Sequence, residues 1–141
     1  MLALLSRLFG RRPDTDQALG RAGERASARF LHRAGYRVLD RNVRIDVGEA
    51  DLVCLAPDQE TIVIVEVKTR RRGTGRSVMG ETVPPEASVH QAKRRKLLSV
   101  ARSLARSNGW QHRTIRIDVI GIEWPDDGSK PTLRHHINAV R

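Results

Sequence analysis

Apolar positions change their period several times along the chain, and each change marks an element. After the break at Arg11-Arg12-Pro13-Asp14, the residues Leu19, Ala22, Ala26, Phe30 and Ala34 recur at helical spacing as far as Gly35. Asp14, Thr15 and Asp16 supply caps and first-turn acids, and Gly35 ends the segment as a helix-terminating glycine. Glu24 flanks the apolar stripe. Tyr36 to Val43 alternates as a strand does, Gly48 marks a turn or bulge, and Ala50 to Leu55 reads as a second strand. Pro57-Asp58-Gln59-Glu60 has turn chemistry, and the β-branched run Thr61 to Thr69 is a third, buried strand. A flexible basic loop, Arg70 to Arg76, is closed by Pro84-Pro85. A long helix follows from about Glu86 to Ser107, with Val89, Lys93, Leu97, Val100 and Leu104 on its apolar side and a very basic opposite side. Thr114 to Trp124 is a fourth strand, Asp126-Asp127-Gly128 a hairpin turn, and Pro131 to Ile137 an edge strand.

Helix, three strands, helix, two strands is the order of an α/β or α+β domain, in which two main helices flank one mixed five-stranded sheet. At 141 residues the chain is one domain, residues 14–141, preceded by a tail, 1–13. That tail is apolar but short, and Arg7, Arg11 and Arg12 interrupt or follow it, the wrong order for a secretory signal. It is read either as a frayed end or as a short amphipathic helix touching a membrane or partner; stable membrane insertion is not expected. Cys54, the single cysteine, lies in an apolar run and is read as core filler, which fits a reducing, cytoplasmic setting.

Charge narrows the partners. A formal net charge of +10 points to nucleic acid or an anionic surface. Aromatics make up only 4% of the chain, which leaves little to stack on unpaired bases and favours duplex or branched substrates.

The chemistry lies where the third strand ends. A symmetric turn at Pro57–Glu60 sets Cys54 opposite Val63 and, along the same ladder, Asp51 opposite Glu66, about 5 Å apart at their β-carbons. Lys68 shares a face with Glu66. Two carboxylates so placed repel by about 3 kcal/mol at an effective dielectric constant of about 20. A divalent cation reverses that sign, and hard Mg²⁺ prefers such oxygen ligands. Simple neutralisation of Glu66 by Lys68 is the plainer alternative, but it leaves Asp51 without a partner.

An acid followed by acid-x-lysine on the next strand resembles the PD-(D/E)xK nuclease signature, carried here by Asp51, Glu66 and Lys68. The segments Gly20–Glu24, Gly35-Tyr36, Arg41-Asn42, Gly48–Val53 and Val65–Arg70 are similar to the bacterial YraN-like family, an uncharacterised nuclease-like group. Val89 with Lys93, and Asp118-Val119-Ile120, extend the likeness, which covers roughly residues 18 to 124. The resemblance implies a restriction-endonuclease-like fold and a site in which Asp51 and Glu66 hold Mg²⁺ or Mn²⁺. Glu24 completes that site from the first helix, as in Holliday-junction resolvases, and the Val67 carbonyl offers a further ligand. Lys68 orients water or stabilises the charged transition state. Glu49 has the strand parity of Asp51 and is a candidate outer acid. Resolvase-like relatives also imply a homodimer.

The basic elements fit that placement: Arg70, Arg71, Arg72 and Arg76 follow Lys68 directly, and Lys93 and Arg94 continue the charge on the second helix, with Lys93 better placed to reach the site. The expected function is metal-dependent phosphodiester hydrolysis in nucleic acid, DNA ahead of RNA, on branched or damaged substrates. The alternative is a non-catalytic nucleic-acid-binding module retaining the nuclease fold.

Overall fold

A computed structural model describes residues 14–72, 77–78, 81–82, 91–127 and 129–141. The tail 1–13, Arg76, Val89, the Pro84-Pro85 closure, the expected start of the second helix and Gly128 of the last turn lie outside the described residues. Helix α1 spans Asp16–Arg33, and Thr15 caps it by accepting a hydrogen bond from the Ala18 amide at 3.1 Å. Strands β1 (Arg37–Ile45), β2 (Gly48–Leu55) and β3 (Ile62–Arg71) follow. A two-residue ribbon, β4 (Ser77–Val78) and β5 (Glu81–Thr82), precedes helix α2 (Gln91–Ser107), and β6 (Ile115–Trp124) and β7 (Thr132–Val140) complete the order.

The five long strands form one mixed sheet in the order β1-β2-β3-β6-β7. All neighbours are antiparallel except β3 and β6, which α2 connects in parallel. Alternation along the strands divides the core by face. Leu52, Cys54, Val63, Val65, Ile120 and Ile122 pack under α1, while Val53, Leu55, Ile62, Ile64, Ile117 and Val119 pack under α2. The α+β architecture expected from the order of elements is therefore present. Cys54 is fully buried and its thiol is pushed up to about 12 by burial and then by the charge of Asp118, as befits an inert core residue.

The turn at Pro57–Glu60 is symmetric: the Ala56 amide donates to the Thr61 carbonyl at 2.9 Å, Cys54 pairs with Val63 and Leu52 with Val65. Asp58 locks it, accepting from the Glu60 and Thr61 amides at 2.9 Å and from the Thr61 hydroxyl at 2.6 Å. The β2–β3 ladder ends at Leu52 and Val65, one residue short of Asp51 and Glu66.

Departures from the sequence expectation have local causes. Ala34 is exposed rather than on the buried stripe, because α1 ends at Arg33 and fully buried Leu31 fills the core there. β1 carries an extra residue at Leu39, between Val38 and Asp40. β7 runs on to Val140, past a bulge where Asn138 takes a left-handed conformation (φ 55°), and Val140 returns to the core opposite Ile117. β3 continues two residues into the stretch read as loop, pairing Arg71 with Trp124.

Candidate active site

Asp51 and Glu66 arrive on the α2 face from neighbouring strands, just beyond the last paired residues of β2 and β3. The Asp51 carboxylate occupies the place a partner strand would take, accepting the Val67 amide at 2.7 Å. Val67 thus enters the site through its N–H. Glu66 is 5% exposed and hydrogen-bonded to Asp51. Two anions cannot share such a bond without a proton. Burial, then the Asp51 charge, raises Glu66 to about 7 against the opposing pull of Lys93. Asp51 is also raised, by burial, although the Val67 amide works against it. The pair is best described as two carboxyl groups sharing one proton near neutrality.

The counter-charge comes from α2. Lys93 Nζ lies 3.3 Å from Glu66 Oε1. Lys68, half-buried at the end of β3, is near enough for its charge to favour ionised Glu66, yet the close ion pair belongs to Lys93. Glu24 approaches from α1, close enough to feel the Asp51 charge; burial first, then Asp51, raises its carboxyl, and Asn42 hydrogen-bonds it. Asn42 has a left-handed backbone (φ 50°) beside the β1 bulge, a conformation asparagine tolerates better than most residues. Gly23, immediately before Glu24, is dictated by space, since a β-carbon there would overlap the Thr69 hydroxyl. Only glycine lets α1 lie this close to β3 and deliver Glu24. Glu49 remains exposed and pairs with Arg44 at 3.8 Å, so only its field reaches the pocket.

No three His, Cys, Asp or Glu side chains among the described residues already form a metal cage. The donor chemistry nevertheless suits a hard cation: two carboxylates within hydrogen-bonding reach, a third acid nearby, and a lysine ammonium held where positive charge is wanted. Beside the pair, the β1–β2 turn and α2 enclose a cavity of about 480 Å³ lined by Asp46, Gly48, Glu49, Lys93 and Lys96 among others. Of the basic residues expected to bind nucleic acid, Arg70, Arg72 and Arg94 are exposed, whereas Arg71 is mostly covered and reaches Asp16 at 3.4 Å.

The opposite face holds a polar cluster that the sequence reading did not assemble. Asp118, fully buried on β6, accepts two bonds from Arg116 at 2.8 Å, one from the Asn138 amide at 2.9 Å, and pairs with His135 Nε2 at 2.7 Å. Arg116 also donates to the Tyr36 hydroxyl at 2.7 Å. Burial pushes the Asp118 carboxyl up, but the bonds from His135, Arg116 and Asn138 outweigh it and hold it below the usual range. The available signal was an acid within the apolar run Ile115–Ile122, the same sign that exposed Glu66.

Comparison with known proteins fixes the family. The profile described as "Uncharacterised protein family UPF0102" matches residues 23–122, which include Glu24, Asp51, Glu66, Lys68 and Lys93. A UPF0102 protein of Pelobacter propionicus is 37% identical over 129 residues, 91% of this chain and 85% of that one. One from Anaeromyxobacter dehalogenans is 38% identical over 122 residues, 86% and 83% of the two chains. Among solved structures, SfsA of Pyrococcus furiosus in complex with Ca²⁺ overlaps with a TM-score of 0.37 at 15% identity, over 89% of this chain and 64% of that one, too loose a likeness to bear on chemistry. On the extent of the profile match and of these relatives, the chain belongs to the UPF0102 family.

Proposed function

We propose that the protein is a metal-dependent nuclease of the PD-(D/E)xK kind, hydrolysing phosphodiesters in DNA, with Asp51, Glu66 and Lys68 as its working residues. One observation carries the reading: the buried Glu66 carboxyl and the half-buried Asp51 carboxyl meet within hydrogen-bonding reach at the end of a core strand, with Lys93 as the close counter-charge. A fold selected for stability alone gains nothing from that arrangement. Asp51 and Glu66, with Glu24 directly or through water, would hold Mg²⁺ or Mn²⁺, which when bound acidifies water and neutralises charge on the scissile phosphate.

The chain's own groups do the rest. Glu66 holds its proton below about pH 7 and releases it above, so the pocket gains its full negative charge only on the alkaline side. The Val67 amide keeps Asp51 aimed, and Asn42 keeps Glu24 beside it. Lys93 balances Glu66 and lines the neighbouring cavity, where a phosphate would be drawn to it and to Lys96. Lys68 stands at the same strand end, suited to stabilising negative charge that develops during attack.

The test is cleavage of labelled linear, nicked, flapped and four-way DNA with Mg²⁺ and Mn²⁺. Glu66→Ala and Asp51→Ala should each reduce turnover by at least about 100-fold while far-ultraviolet dichroism is unchanged, a loss of the size seen when a transition-state charge stabiliser is removed. Equal cleavage by wild type and Glu66→Ala, or in a chelator, contradicts the assignment.

A second reading, a nucleic-acid-binding module without turnover, draws on the Lys93–Glu66 ion pair, which a metal would have to loosen. Salt-sensitive DNA binding with no turnover in either metal would select it.

A further inference from the structure

Arginine recurs at every fourth position from α1 into β1: Arg21, Arg25, Arg29, Arg33, Arg37 and Arg41. A four-residue step overshoots the helical repeat, so the first two drift away from the last two on α1. Arg29 and Arg33 then meet Arg37 and Arg41 across a cavity of about 500 Å³ between the C-terminal half of α1 and the start of β1. His32, Ala28 and Val38 complete its lining. All four arginines are exposed at its rim.

The helix end accounts for part of this. Cations in the last turn of a helix are favoured by its dipole, which suits His32 and Arg33. It does not account for two more guanidinium groups brought to the same hollow by a strand, nor for like charges four residues apart on the helix, which are unfavourable. Arginine at all four positions, with no lysine, is the choice that matches the planar, two-pronged recognition of a phosphate group.

The place matters as much as the charge. Ala28 at the cavity wall follows Glu24 by one helical turn, on the order of 6 Å along the axis. Arg41 immediately precedes Asn42, which holds Glu24. The hollow therefore begins about one helical turn from Glu24, about two base-pair rises of ~3.4 Å, at the end of α1 away from the Arg70–Arg72 stretch, whose Arg71 contacts Asp16 at the helix start.

We propose that this hollow is a second phosphate-binding subsite, in which Arg29, Arg33, Arg37 and Arg41 grip the nucleic-acid backbone beside the segment held at the acid pocket. The proposal rests on the nucleic-acid reading above and adds where the backbone runs: along the α1–β1 seam, in addition to the Arg70–Arg72 strand end.

The experiment measures binding of the full-length protein to a short fluorescein-labelled DNA duplex across a salt series, with the double variant Arg33→Gln/Arg37→Gln compared with wild type and with Arg70→Gln/Arg72→Gln. Loss of two phosphate contacts should weaken binding roughly tenfold at low salt and make the log K against log salt slope shallower by about 1–2. The thermal midpoint should shift by no more than a few degrees, since neither side chain packs in the core and only the exposed dipole contact of Arg33 is lost. If wild type binds and Arg70→Gln/Arg72→Gln weakens it while Arg33→Gln/Arg37→Gln does not, the subsite is overturned and the nucleic-acid reading stands. If wild type does not bind the duplex, both fall. If Arg33→Gln/Arg37→Gln instead abolishes binding to anionic-lipid vesicles and leaves duplex binding intact, the hollow is a membrane contact and the subsite is likewise overturned.

Discussion

Two buried acids on opposite faces of one sheet behave in opposite ways. Asp118, under α1, has a complete set of partners: a two-pronged arginine, a histidine and a backbone amide. Its carboxyl is held low. Glu66, under α2, has one lysine and another carboxyl group, and it is held high, at about 7. Both cost free energy to bury. Only the first recovers it within the chain, and so Asp118 reads as architecture. Glu66 has one close cation, Lys93, set against two carboxyl groups, an imbalance that suits the metal site proposed above. Burial alone does not identify a site; the completeness of the partner shell does.

The sharpest way to break the contrast is to remove each acid. Asp118→Ala leaves the Arg116 guanidinium without its counter-charge and should lower unfolding free energy by about 3–5 kcal/mol in urea denaturation. A loss below about 1 kcal/mol would mean that the network holds little together. Next comes the contact that seats α1 beside the pocket. Gly23→Ala forces the helix off Thr69, and overpacking of this kind costs about 1–3 kcal/mol. Cleavage or divalent binding in that variant should fall further than its stability explains, because Glu24 moves with the helix.

Acidity separates the faces by sign. Glu66 has a folded-state value above its unfolded one, so its protonated form stabilises the fold below about pH 4.5, and that contribution is lost as pH rises through about 7. Glu66→Gln should therefore match wild type near pH 5 and exceed it by about 1–3 kcal/mol at pH 8, since each unit of displacement is worth about 1.4 kcal/mol and the paired acid shares the effect. Asp118 has a folded-state value below its unfolded one, so its contribution is present above about pH 4 and disappears only on acidification. A Glu66→Gln variant less stable than wild type at pH 8 would reverse the assignment of the two faces. The smallest effect is expected for Lys93→Met, which removes the opposing pull on Glu66 and should move its titration, followed by carboxyl infrared or carbon NMR, to a higher pH. No movement would mean that Lys93 is not the counter-charge.

Much of this was legible in the chain. The run Thr61–Thr69 and the even-length turn at Pro57–Glu60 gave the register from Cys54–Val63 to Leu52–Val65, and Asp51 and Glu66 meet just past its end, because strand pairing is arithmetic once a turn is symmetric. Lys93 was expected to reach toward Glu66 from the apolar side of the second helix, and its Nζ lies 3.3 Å from Glu66 Oε1. What the chain concealed depends on irregular backbone. The extra residue at Leu39 and the left-handed Asn42 reshape β1 and supply the partner of Glu24; an asparagine is compatible with that backbone, but the alternation of Val38–Val43 gives no sign of the bulge. The Asp118 cluster joins residues from β6, β7 and the α1–β1 turn, and its closure needs the bulge at Asn138. Nothing in the pattern of β7 ties His135 to Asp118, whose carboxylate its ring meets at 2.7 Å.

The most direct test of the acid pocket is calorimetric titration of the full-length protein with Mn²⁺ at pH 6 and pH 8, in two buffers of different ionisation enthalpy. Saturable binding is expected, stronger at pH 8, accompanied at pH 6 by release of close to one proton, and absent from Glu66→Ala. Binding that is unchanged in Glu66→Ala, or no binding at either pH, would contradict the proposed metal site.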